Sequence, residues 1–108
     1  MKDRIYISGP VTGLDYETAA AAFYHAEREI SSRYGSNIEV VNPVRLCRKE
    51  WTWEQCMRVC IVALTSCNYI HMLSNYWQSE GARLELTIAE KLHFGVCNDK
   101  YDLVSYGE

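Results

Sequence analysis

Short β-branched segments alternating with helical periodicities constrain this chain more than any other feature. Arg4-Ile5-Tyr6-Ile7 runs into Ser8-Gly9-Pro10, the pattern of a buried strand closed by a turn. From Asp15 onward Tyr16, Ala19, Phe23, Ala26, Ile30 and Tyr34 recur at helical steps as far as Gly35, which predicts an amphipathic helix capped by Asp15 and stopped by the glycine. Ile38-Glu39-Val40-Val41 then meets Asn42-Pro43, a second strand that the proline cannot continue. A second helix is expected from Trp53 to Cys67, with Cys56, Met57, Cys60, Ile61, Leu64 and Cys67 on one arc. Tyr69-Ile70-His71-Met72-Leu73 reads as a third strand, and a third helix starts after Ser79 and ends near Gly95. Val96-Cys97 gives a fourth strand and Leu103-Val104 a fifth.

This alternation specifies a mainly parallel sheet of four to five strands covered by helices on both faces, a three-layer, doubly wound α/β fold of the Rossmann or flavodoxin kind. With 108 residues, 48% of them hydrophobic, the chain has material for one core and reads as a single domain over 1–108. Ligands of such sheets bind outside the carboxyl ends of the strands. The segments Ser8-Gly9-Pro10, Asn42-Pro43 and Trp77-Gln78-Ser79-Glu80-Gly81 all follow strands, so they are expected to gather at one edge.

Charge and composition exclude several classes of function. Residues 1–54 carry seven basic and eight acidic side chains and residues 55–108 four and six, so neither half offers a basic stripe for a nucleic-acid polymer. No apolar run approaches the ~20 residues that cross a bilayer. Met-Lys-Asp-Arg-Ile enters the first strand without an apolar signal region, so no membrane partner and a cytoplasmic location are expected. Cys47, Cys56, Cys60, Cys67 and Cys97 form an odd set with no CxxC pair and no histidine at zinc spacing. They read as reduced thiols, with the helical trio Cys56, Cys60 and Cys67 as small core residues and no metal site or cofactor expected.

The third helix holds the anomaly. On a helical wheel started at Gly81, Glu85 falls at about 40°, between Leu92 at about 20° and Ala89 at about 80°. A carboxylate turned toward a core is costly unless it is paired or faces a cavity. It is either a structural partner of an arginine or a core tyrosine, or an acid or nucleophile on a pocket floor. Ser79 as helix cap followed by Gly81, and Ser8-Gly9 after the first strand, offer backbone N–H groups to an anion or serve as a plain cap and turn. Trp77 stands where its indole stacks a nucleobase or covers the end of the sheet, whereas Trp51 and Trp53 are expected to cap the core. None of His25, His71 and His93 has a visible catalytic partner.

Ile5-Tyr6-Ile7-Ser8-Gly9-Pro10-Val11-Thr12-Gly13, the Asn42-Pro43 pair, Trp77 and Ser79-Glu80-Gly81-Ala82-Arg83-Leu84-Glu85 together resemble the small DUF4406 proteins. These are relatives of the nucleoside 2-deoxyribosyltransferases and nucleotide N-glycohydrolases, and small members occur in phages. The resemblance spans residues 4 to about 98 and implies a nucleoside 2-deoxyribosyltransferase-like domain. Its nucleophilic glutamate, which attacks the anomeric carbon of a (deoxy)ribosyl group, is matched by Glu85, and a positioning tyrosine by Tyr6. Ser8, Gly9, Pro10, Asn42, Trp77, Ser79 and Gly81 match its substrate-holding loops. It further implies a nucleoside, nucleotide or nucleotide-derived partner and a homodimer or larger assembly in which neighbours complete each pocket. Relatives carry an aspartate in the second helix and another opening the third strand, where this chain has Cys60 and Asn68. The alternative to cleavage is a catalytically idle binder that sequesters a nucleotide-like signal, and a further one is a plain structural or assembly protein.

Overall fold

The computed structural model describes residues 2–11 and 15–98, together with the backbone of 103–105. Strands β1 (Asp3–Ser8), β2 (Ile38–Val41), β3 (Tyr69–Met72), β4 (Gly95–Asn98) and β5 (Leu103–Ser105) form one sheet in the order β2-β1-β3-β4-β5. The first four strands run parallel, and β5 turns back antiparallel against β4. Helices α1 (Tyr16–Tyr34), α2 (Pro43–Leu46), α3 (Trp53–Thr65) and α4 (Glu80–Lys91) complete the α/β fold expected from the alternation.

Side chains of a strand alternate between its two faces, and β1 sorts its residues accordingly. Ile5 and Ile7 join Phe23, Ala26 and Ile30 of α1 in one apolar cluster. Tyr6 joins Cys60 and Leu64 of α3 and Ala82 and Ala89 of α4 in the other. The sheet is thus buried on both faces, which is why its strands read as continuous apolar runs. None of the helices among the described residues is long and apolar enough to cross a membrane.

Element ends follow local chemistry. The Asp15 carboxylate accepts the Thr18 N–H at 3.1 Å, and Gly35 stops α1 at a φ of 61°. Thr52 and Gln55 close a reciprocal capping box at the start of α3, which ends at Thr65, two residues short of the span expected from periodicity. Helix α4 stops at Lys91 rather than near Gly95, because His93 takes the left-handed conformation, φ 60°, that usually falls to glycine. Gly95 instead opens β4.

The proline after β2 starts a helix that the sequence reading did not contain. Asn42 caps α2 by accepting the Val44 N–H at 3.0 Å, and Pro43 occupies its first turn, where a missing N–H costs nothing. The Asn42 amide also donates to Glu27 at 3.0 Å, and Arg45 grips the same carboxylate through Nε and Nη2, each at 3.0 Å. These contacts, the Arg45 hydrogen bond first, hold the Glu27 carboxyl below the ordinary range. Replacing Asn42 with alanine removes a cap and a buried hydrogen bond, and should cost about 1–2 kcal/mol in urea unfolding.

Candidate functional site

In the order β2-β1-β3-β4-β5 the chain leaves β1 for β2 on one side and reaches β3 on the other. That reversal opens a crevice at the carboxyl ends of β1 and β3, the place where doubly wound sheets bind ligands. Tyr6 and Ser8, two positions apart on β1, both project toward the α3 and α4 layer, and both are fully buried.

Glu85 meets them there. The Tyr6 hydroxyl donates to Glu85 Oε2 at 2.5 Å and the Ser8 hydroxyl to Oε1 at 2.7 Å. The carboxylate is only 5% exposed, and neither ion pair found among the described residues involves it. Burial raises the Glu85 carboxyl above the usual range, with the two hydrogen bonds pulling the other way. Burial, and next the neighbouring Glu85 charge, push the Tyr6 phenol well above its ordinary value, so it remains a donor. Glu85 is therefore partnered by a core tyrosine, and it also faces a space.

That space is a cavity of about 360 Å³ with Tyr6 and Glu85 in its wall, within the size of small-molecule sites. Gly9, Ser79 and Gly81 line it as well. A Cβ on Gly9 would approach the Leu73 side chain to between 2.6 and 2.9 Å, so only glycine lets the turn after β1 pass over the end of β3. At Gly81 a Cβ would stand 3.1 Å from Met57 Sδ and 3.3 Å from Trp53 Nε1, so this glycine seats the first turn of α4 against α3. Ser79 caps α4 by accepting the Ala82 N–H at 3.1 Å.

Other residues of the expected site lie elsewhere. Ser8 is behind the wall, touching Glu85 rather than the space. Asn42 is committed to Glu27 and to the α2 cap. Pro10 borders a separate groove beside α1, with Thr18, His25 and Glu29. Trp77, 58% exposed in a 3₁₀ turn over Tyr76–Gln78, is absent from the cavity wall, and its carbonyl accepts from Arg83 at 3.3 Å.

The aromatic walls come from Trp51, Trp53 and Tyr16 instead, with Arg48 and Lys49 beside them. Trp51 and Trp53, expected to cap the core, border the cavity: the loop after α2 carries Trp51 there and the first turn of α3 carries Trp53. The signal was present, since residues 43–53 follow the carboxyl end of β2, the edge where ligands bind.

The reduced state expected for all five cysteines is also corrected. Cys47 and Cys56 form a disulfide with Cα atoms 5.4 Å apart, whereas Cys60, Cys67 and Cys97 are free. Cys47 ends α2 and Cys56 lies in the first turns of α3, so the loop between them brings together two cysteines with a sequence separation of 9. Cys60 is in hydrogen-bonding contact with the Tyr6 hydroxyl, and burial pushes its thiol up to about 11. It is a protonated thiol at neutral pH. Asn68 stands at the other end of β3, where its side chain accepts the Arg4 N–H at 2.9 Å.

A carboxyl whose value is raised on folding stabilises the protein when protonated and loses that contribution as pH rises through the folded value. Stability should therefore decline as pH climbs from the ordinary glutamate range through the raised value of Glu85. In Glu85→Gln, which keeps the volume and removes the charge, that decline should be absent and the midpoint of thermal unfolding at pH 7 at least equal to the parent. Thermal melts of both proteins across a pH series check this.

The arrangement is a desolvated carboxylate held by two hydroxyls at the floor of a cavity with aromatic and cationic walls. No curated protein sequence matches the chain. A family model described as a domain of unknown function, DUF4406, matches residues 3–98, which include every residue of this site. The chain belongs to the DUF4406 family.

Proposed function

We propose that the cavity binds a nucleoside or nucleotide and that Glu85 attacks its anomeric carbon, releasing or transferring the base. The observation that carries this reading is the Glu85 carboxylate, fixed at both oxygens on a cavity floor and paired with no cation among the described residues. Tyr6 and Ser8 orient it as a nucleophile must be oriented. Trp51, Trp53 and Tyr16 offer faces on which a base stacks, and Arg48 and Lys49 are cations of the kind that hold a phosphate.

In the proposed step a Glu85 oxygen bonds the anomeric carbon as the bond from that carbon to the base nitrogen breaks, and the electron pair departs with the base. Water, or a second base, then displaces Glu85 from the glycosyl-enzyme and restores the carboxylate. A proton must reach the departing base. Glu85 is the only carboxylate among the described residues of the cavity wall, and the Cys60 thiol beside Tyr6 is a poor acid. This favours a second reading, a pocket that holds the nucleotide intact, unless the neighbouring subunit of a homo-oligomer brings an acid. Val59 and Val62, one turn apart on α3 and the latter 72% exposed, suit such a contact. We infer a cytoplasmic location, where the Cys47–Cys56 bond would be held reduced.

Incubation with nucleosides, deoxynucleotides and cyclic ADP-ribose-type nucleotides, followed by chromatography, separates the readings. Free base is the expected product, and Glu85→Gln should lower its release by orders of magnitude while remaining folded. Ligand recovered intact after denaturation establishes the binder, and no bound ligand with any compound overturns both. Cys60→Asp should raise base release by restoring an acid next to Tyr6 and Glu85. A folded Cys60→Asp protein without any gain would leave the binder ahead. Light scattering at micromolar concentration should give at least a dimer, and a monomer would remove the neighbour's acid from consideration.

A further inference from the structure

The three cysteines on the cavity wall do more than pack. Cys60 Sγ lies 3.5 Å from Cys47 Sγ and 3.7 Å from Cys56 Sγ, so one free thiol touches both halves of a disulfide. All three sulfurs fall within 4.8 Å of one another. Two elements supply them: Cys47 caps the end of α2, and Cys56 and Cys60 are one turn apart on the same face of α3.

We propose that, once the Cys47–Cys56 bond is reduced, Cys47, Cys56 and Cys60 bind one thiophilic divalent ion of the zinc class, with a further coordination position open to the cavity. Around a zinc ion with bonds of about 2.3 Å in tetrahedral geometry, thiolate sulfurs stand roughly 3.8 Å apart. The two separations involving Cys60 already have that size, and only the bonded pair must part. Three sulfurs with one place left for water or a ligand is the composition of open rather than closed zinc sites, and soft sulfur ligands select such ions. Three thiolates and a divalent ion carry one net negative charge, which Arg48 and Lys49 in the same cavity wall offset.

The chemistry balances in two steps. A dithiol reductant gives two electrons and two protons to the Cys47–Cys56 bond and is itself closed to a disulfide, leaving two thiols. The ion then displaces one proton from each of the three thiols, forming three metal–sulfur bonds. Disulfide and metal are mutually exclusive states of one cluster, which shares the cavity with Tyr6 and Glu85.

Titration of the reduced protein with cadmium ion in the absence of oxygen tests the proposal through the ultraviolet thiolate-to-cadmium absorption. The band should saturate at one equivalent per chain, persist in Cys67→Ser and Cys97→Ser, and lose its stoichiometric saturation in Cys60→Ser and in Cys47→Ser. The oxidised protein should show no such band. A full band in folded Cys60→Ser, equal binding by oxidised and reduced protein, or no band in the reduced protein would overturn it. A second measurement needs no variant: zinc ion added to the reduced parent should protect Cys47, Cys56 and Cys60 together from alkylation, as read by peptide mass spectrometry. Protection of two or fewer of them would equally overturn the assignment.

Discussion

The pair of hydrogen bonds from Tyr6 and Ser8 to Glu85 sets the relation between the sheet and the helix that closes the site. Both donors belong to β1, the strand at which the chain reverses its direction of travel across the sheet, and the acceptor belongs to α4, which enters from beyond β3. The carboxylate thus ties together residues nearly 80 positions apart. Losing either hydroxyl would leave a buried oxygen without its partner, a cost of about 1–3 kcal/mol. The rest of the pocket is arranged around that anchor: Gly81 lets the first turn of α4 lie close to α3, and Gly9 lets the turn after β1 pass Leu73.

Much of the fold was legible because it rests on local patterning. The apolar spacing of α1, the Asp15 cap and the Gly35 stop all lie within one segment, and the structure reproduces them. Glu85 was legible for the opposite reason, since a charge within an apolar arc conflicts with its surroundings, and such conflicts gather at functional sites. The end of α4 was not legible, because His93 carries a backbone conformation usually signalled by glycine. Nor was α2, where Asn42-Pro43 reads equally as the stop of a strand and the start of a helix.

The placement of the candidate-site residues was legible where they sit on regular elements and less so where they sit on loops. Glu85 follows from helix phase and Tyr6 entered through the resemblance, whereas Trp51, Arg48 and Lys49 reach the cavity through a loop whose path depends on tertiary packing. The same loop joins Cys47 to Cys56, a pairing that no spacing rule contains. Asn42 shows the converse: a polar residue at the right edge of the sheet, taken up by a capping bond and by Glu27 of α1.

The distribution of the three tryptophans gives the protein a built-in optical asymmetry. Two indoles, Trp51 and Trp53, border the cavity, and the third, Trp77, faces solvent away from it. An aromatic molecule entering the cavity alters the surroundings of the first two and leaves the third as a constant background. Intrinsic fluorescence therefore reports occupancy without a label, and a Trp77→Phe background would isolate the two indoles that change.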